Sequence, residues 1–313
     1  MGSNRSVVLA ALVANGAIAA LKFLGYLLTG SPAMLSETYH SVSDTGNQVF
    51  LLFGIRYADK EASRVHPFGY GKAQFFYSFL VSVLLFGVAG WKSLTHGYDA
   101  LLHGVHRATE PVTFLGVSFD PIWVNVVVLL GAIGFESYAF VKANAELRRQ
   151  MDAYGWSGLV EAFRRTSDTV TLTAFTEDAI ALGGAAIALV GVVLTRVTDN
   201  HVYDAASAAI IGLLLMGFAL ALAWENKRLL LGESAPRAVE EEFREVIVDR
   251  PGVRHVDALR TMYVGPQELL VAVEVSFDPD METGGLDRRI RDIERALAEA
   301  DGRVRDVYVE PEV

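Results

Sequence analysis

The sequence predicts a membrane all-α bundle of six transmembrane helices, followed by a C-terminal cytoplasmic ferredoxin-like α+β domain. Three observations predict it. Hydrophobic residues make up 52% of the 313-residue chain, and they fall in long blocks rather than in the short runs of a soluble domain. Six blocks, at 7–28, 33–56, 73–95, 121–142, 170–195 and 204–225, each reach the ~20 residues a helix needs to cross the hydrocarbon layer. After Asn226 the blocks stop, and helical and alternating patterns of soluble type replace them. The expected division is a six-helix transmembrane domain over 1–230 and a smaller domain over 231–313.

The elements follow in order. "MGSNRS" is too short and too polar to open a cleaved signal peptide, so the first block reads as a first helix. Arg56, Lys60, Arg64 and Lys72 flank the connection between the second and third spans. Lys142, Arg148, Arg149, Arg164 and Arg165 flank the one between the fourth and fifth, whereas the alternate connections offer only Arg107 and Arg196. The positive-inside rule then puts both termini in the cytoplasm. With no targeting presequence in view, a prokaryotic plasma membrane is the expected location. "TEPVTFLGVSFDP" (109–121) reads as an irregular outer loop. The segment 143–166 mixes Leu, Met, Tyr, Trp and Phe with charge, which suits one or two amphipathic helices near the cytoplasmic membrane surface. Beyond it, "PRAVEEEFREVIVD" (236–249) is helical, with Pro236 suited to a helix start. "VDALRTMYV" and "ELLVAVEVSF" are strands split by the turn-like "GPQ", "LDRRIRDIERALAEA" (286–300) is an amphipathic helix, and "RVRDVYVEP" is a last strand. Helix–strand–strand–helix–strand in this length fits a small ferredoxin-like layer.

Composition excludes several classes. The net charge is −10, with acids concentrated toward the C-terminus and no basic stripe interleaved with aromatics, so nucleic acid is not an expected partner. The absence of cysteine excludes disulfides, thiolate metal sites and a cysteine nucleophile.

The second span carries the chemistry. At helical spacing Glu37, His40, Asp44 and Asn47 share one stripe, and His40 and Asp44 are an i, i+4 pair. An ionisable residue at mid-membrane costs about 2.5–3.5 kcal/mol on insertion scales, and such residues mark ion pathways or relays. The bland alternative is that His40 and Asp44 are hydrogen-bonded glue between helices. The fifth span supplies a counterpart: Glu177 and Asp178 point about 100° apart, and the arc between them carries the small residues Ala174 and Ala181. Glu136 in the fourth span shares a face with Asn125 and reads as a proton acceptor, a supporting partner, or an interfacial residue. Imidazole and carboxylates without thiolate give a nitrogen and oxygen donor set of the kind Zn²⁺ accepts. Manganese, iron, cobalt or nickel use the same atoms.

These residues resemble the cation diffusion facilitators, the zinc transporters of the solute-carrier-30 type. That family's second helix carries an H/D-x-x-x-D pair, matched by His40 and Asp44; its following loop is matched by "HPFGYGK" (66–72), and its post-helix motif by "PGVRHVDALRT" (251–261). The similarity runs across nearly the whole chain. A second such pair is usual on the fifth helix; here Asp178 takes the aspartate position, Ala174 cannot ligate, and Glu177 substitutes. "TEDAIAL", the fourth-span Glu136 and "NAELRRQ" resemble the subgroup of the mitochondrial-type zinc transporter.

The resemblance implies a homodimer through the C-terminal domain, and export of Zn²⁺ against H⁺ by alternating access. The implied metal ligands are His40, Asp44, Glu177 and Asp178, with Asn47, Glu136 and Glu37 as supporting or proton-relay residues. His66 is a loop candidate, although Tyr70 replaces the second loop histidine. In the C-terminal domain Asp257, Glu310 and Glu312 offer oxygens without the expected histidines, and His255 reads as a surface residue. No tight binuclear zinc cluster is expected there. With His40 neutral, the three carboxylates of the main set would carry −3 when empty, so metal must replace protons there. The competing readings are a Mn²⁺, Fe²⁺ or Co²⁺ transporter, a metal-sensing membrane scaffold, and an intramembrane metalloenzyme, for which no H-E-x-x-H signature is present.

Overall fold

The computed structural model describes residues 2–104, 112–114, 117–154, 158, 169–266 and 268–312. They form two compact units that interleave in sequence, one of residues 1–52 and 79–223, the other of 53–78 and 224–313.

The long helices are α1 (Gly2–Thr29), α2 (Pro32–Ala58), α3 (Ala73–Leu84), α4 (Trp91–His103), α5 (Ile122–Tyr154), α6 (Thr169–Thr198) and α7 (Val202–Leu231), with a π-helical stretch at Leu85–Gly90 joining α3 to α4. The α1–α2 corner is set by Gly30, whose positive φ ends one helix, and Pro32, which opens the next without needing an N–H donor. Among the described residues four spans are long and apolar enough to cross a membrane: Ala73–His103, Ile122–Arg149, Phe175–Thr198 and Val202–Leu231. α2 is long enough, but Glu37, His40, Asp44 and Asn47 dilute its apolar character.

Two expectations are corrected here. The segment read as an irregular outer loop contains a small hairpin, β1 (Val112–Phe114) with β2 (Val117–Phe119), paired Val112 to Phe119. Each strand sets a hydroxyl between two apolar residues, the alternation that favours pairing. The first half of the expected amphipathic pair, up to Tyr154, is a continuation of α5. Its Leu147 and Met151 pack with Phe140 of α5 and Phe175 of α6, and that burial outweighs lying on a membrane surface. The rest of that segment, apart from Gly158, lies outside the described residues.

The first unit is inverted relative to a soluble protein. Val13, Leu27, Val127 and Leu213 are all more than half exposed, while Lys22, Glu37, His40, Asn125 and Asp204 are buried. A core of Met34, Leu129, Val192, Ile211 and Leu215 lies among the same helices. Small residues set the helix spacing. A Cβ on Gly97 would stand 2.5 Å from the Ala209 backbone nitrogen, so α4 and α7 cross backbone to backbone.

The second unit is an α+β layer: α8 (Arg237–Val248), β3 (Val253–Gly265), β4 (Glu268–Phe277), α9 (Thr283–Ala300) and β5 (Val304–Glu312). The sheet has three strands in the order β3-β4-β5, with β4 antiparallel to β3 and parallel to β5. Alternation along β4 sends Leu269, Val271, Val273, Val275 and Phe277 into a core with Phe243 and Ile247 of α8 and Ile293 and Leu297 of α9. Each such side chain contributes about 1.5–3 kcal/mol by leaving water.

The end of α2, the start of α3 and the loop between them belong to this unit. The "HPFGYGK" string has a local physical reason. Gly69 has φ +74°, and Gly71 leaves no room for a side chain: a Cβ there would meet the Val264 carbonyl oxygen at 2.5 Å and Glu268 Oε2 at 2.7 Å. The loop thereby seats on the β3–β4 end, where Arg305 holds Glu268 at 2.7 Å.

Candidate metal site within the helix bundle

The site begins on α1 with a residue the sequence reading passed over. Lys22 is 1% exposed, and its Nζ donates to Glu37 Oε2 at 2.7 Å and to Ser41 Oγ at 2.9 Å. Glu37 and Ser41 are one helical turn apart on α2, so one ammonium staples both and ties α1 to α2. A charge this deep persists only with such partners, because an unpaired one would cost several kcal/mol. The other Glu37 oxygen, Oε1, accepts no hydrogen bond and faces Gly184 of α6, where a Cβ would approach it to 2.7 Å. Gly184 thus makes room for a carboxylate, while neighbouring Gly183 faces open space.

One turn further, His40 is 2% exposed and neither ring nitrogen has a hydrogen-bond partner. Its Nε2 lies 3.5 Å from Asp44 Oδ2, close enough for ion pairing but outside hydrogen-bond geometry. Next along the stripe, Asn47 Nδ2 donates to Glu177 Oε1 of α6 at 3.4 Å. Asp178 lies within electrostatic reach of both Asp44 and Glu177. Glu136 of α5, half-buried, is within reach of His40, Asp44 and Lys22. The predicted residues of α2, α5 and α6 therefore share one interior. They do not gather into a closed ligand shell: among the described residues no three His, Asp or Glu side chains are placed to hold a metal ion together. The structure instead shows His40 beside Asp44 one turn along α2, and Asn47 of α2 bonded to Glu177 of α6.

Asp204 was also missed. From the first turn of α7 it accepts from Ser31 Oγ at 2.9 Å and from the Ala33 N–H at 3.3 Å, capping α2 from another helix. Asn125 donates to Thr29 Oγ1 at 2.8 Å and so ties α5 to the end of α1. The remaining candidates lie elsewhere. His66 stacks on Tyr70, ring centroids 4.3 Å apart, at an exposed position in the second unit. Asp257 accepts from Ser276 Oγ at 2.7 Å, and His255, Glu310 and Glu312 are exposed.

A bundle with apolar residues outward and an imidazole and carboxylates inside, joined in one chain to an α+β layer, defines the class of integral membrane proteins with a soluble domain. Residues 8–231 match the cation efflux transmembrane domain and residues 235–312 the cytoplasmic domain of cation efflux proteins, and the chain belongs to that family. The matched domain and the long apolar helices make it an integral membrane protein. It is 30% identical over 87% of its length to a human protein named proton-coupled zinc antiporter SLC30A9, mitochondrial, of which the match covers 46%. It is 25% identical over 88% of its length to magnetosome protein MamM of Paramagnetospirillum magneticum, covering 78% of that protein. The cation-efflux pump FieF of Pectobacterium atrosepticum is 25% identical over 94% of this chain and 88% of its own length. The chain spans about half the length of the mitochondrial antiporters it matches. The expectation of a prokaryotic plasma membrane gains no support from a relative named as mitochondrial.

Proposed function

We propose that this protein moves a divalent transition metal, Zn²⁺ first among them, out of the cytoplasm in exchange for protons. The observation that carries the reading is His40. It is a buried imidazole with both nitrogens free of hydrogen bonds, 3.5 Å from Asp44 and within electrostatic reach of Glu177 on a facing helix. His40, Asp44, Glu177 and Asp178 are the proposed ligands, with Asn47 orienting Glu177 and Glu136 and Glu37 nearby. A metal reaching these oxygens displaces the protons that otherwise offset their charge, which couples the two flows. His40 and Asp44 of α2 and Glu177 and Asp178 of α6 would close on the ion as the helices rock, and opening to the other side releases it.

In this reading all six long helical segments cross the bilayer, both termini are cytoplasmic, and the α+β layer pairs with its copy in a homodimer. Support comes from the basic residues flanking alternate connections and from the zinc antiporter name of the human relative. Purified protein in liposomes containing a metal-sensitive dye tests it. An imposed pH gradient should drive Zn²⁺ flux, and metal movement should move protons the opposite way. Zn²⁺ binding without flux would leave the scaffold reading standing. A competition series with Mn²⁺, Fe²⁺ and Co²⁺ separates the metals, since the carboxylate-rich set has oxygen donors that each accepts.

A further inference from the structure

Lys22 has no place in the ligand set, yet it is one of the largest almost wholly enclosed side chains among the described residues. Leucine or methionine would fill a comparable volume on α1 without the cost of dehydrating an ammonium. Its placement is specific. It takes one oxygen of Glu37 at 2.7 Å and the Ser41 hydroxyl at 2.9 Å, and its charge also acts on Asp44 and Glu136. Glu37 is the acid one turn before His40, on the same stripe and fully buried, with its second oxygen free. Without Lys22, it would be a carboxylate one turn from the imidazole and available to a metal.

We infer that Lys22 is a fixed internal cation that withholds Glu37 from the transported ion, so that binding stays weak enough for release. The inference rests on the proposed metal site at His40 and Asp44. A transported ion must be held well enough to enter and loosely enough to leave. A further carboxylate in the set would favour the first at the expense of the second. Lys22 is therefore a positioning residue, and its removal should split binding from transport.

The test uses the full-length protein, with equilibrium Zn²⁺ binding in detergent, flux in liposomes and thermal melting for each variant. Lys22→Gln should bind Zn²⁺ about tenfold more tightly and transport it several-fold more slowly, the scale on which residues around a metal site alter affinity. Lys22→Gln/Glu37→Gln should return both quantities to the parent values, because the liberated carboxylate is gone. Lys22→Arg, which keeps the charge, should resemble the parent. Folded Lys22→Gln with unchanged or weaker binding overturns the inference, as does a double variant that keeps the tighter binding. If Lys22→Gln does not fold, the double variant still decides. Parent-like affinity supports a withheld Glu37, and an affinity about tenfold weaker shows that Glu37 already ligates. His40→Ala is the separate control: undiminished binding and flux there would remove the metal-site assignment itself, whatever Lys22 does.

Discussion

The two units of this molecule bury opposite kinds of side chain. In the bundle, Lys22, Glu37 and His40 are inside while Val13, Val127 and Leu213 face outward. In the α+β layer, Val271, Val273 and Phe243 are inside, and the ion pairs Arg254–Asp278 and Arg260–Glu274 are outside. The same physical chemistry produces both, with a different surrounding medium. Where hydrocarbon is the solvent, apolar surface has nothing to gain by turning inward, so packing relies on small residues such as Gly97 and on polar links such as Lys22–Glu37. Where water is the solvent, burial of apolar area supplies the stability and polar groups stay at the rim. Polar interior groups in the bundle thus tie helix to helix, while apolar interior groups in the layer supply its folding energy.

That contrast predicts a division of mutational effects. The largest belongs to the layer. Phe243→Ala removes a fully buried ring from α8 and should cost about 3–5 kcal/mol of that unit's stability. Urea titration followed by circular dichroism would read it as an early unfolding step, while Zn²⁺ binding to the bundle persists below that step. Loss of metal binding before the layer unfolds would break the separation between the units. Next in size is the mirror case. His40→Ala or Asp44→Ala should lower Zn²⁺ flux by about 100-fold, equivalent to ~2.7 kcal/mol, with little change in melting temperature. A variant that transports normally but melts early would place His40 among structural residues.

How far these features were legible follows from the same contrast. The layer was readable almost strand by strand, because alternation in "ELLVAVEVSF" reports directly which side chains of β4 meet the core. The bundle was readable as apolar blocks, with the polar stripe of α2 standing out against them. Its tertiary links were not. Lys22 is a lone charge in an apolar run, and its partner Glu37 is fifteen residues away on another helix, beyond any helical spacing rule. Asp204 looks like a cap for its own helix but serves the N-terminus of α2. The acids of α6 were found as a pair, while their distribution toward Asn47 and Asp44 depends on helix rotation, which composition does not encode. The glycines of "HPFGYGK" matched a motif before they had a reason; the close approach of Gly71 to Val264 supplies it.

A smaller effect sharpens the comparison from inside the second unit. Gly71→Ala forces a methyl into the 2.5 Å gap to the Val264 carbonyl, where backbone rather than a pliable side chain must yield. A cost of about 1–3 kcal/mol is expected, as for other overpacked contacts. Hydrogen exchange should rise in the 66–72 loop and at the β3–β4 end, with the bundle interior unchanged. Ala at Gly183, which faces open space, is the neutral control.

The smallest effect concerns pH. Hydrogen bonds from Arg303 hold the Asp301 carboxyl below the usual carboxylate range, with Nη2 to Oδ2 at 2.6 Å. A carboxyl depressed in the folded state binds its proton less readily there than in the unfolded chain, whose value is about 3.9. Its contribution is therefore complete above that value and is lost as pH falls through the lower folded one. The pair is only partly buried, so solvent screening limits the contribution to about 1 kcal/mol or less. Asp301→Asn should lower the layer's stability by that amount at neutral pH and match the parent in strong acid, so the two denaturation midpoints converge as pH falls. If they stay parallel down to the acid limit, the Asp301–Arg303 contact has no electrostatic share in the layer's stability.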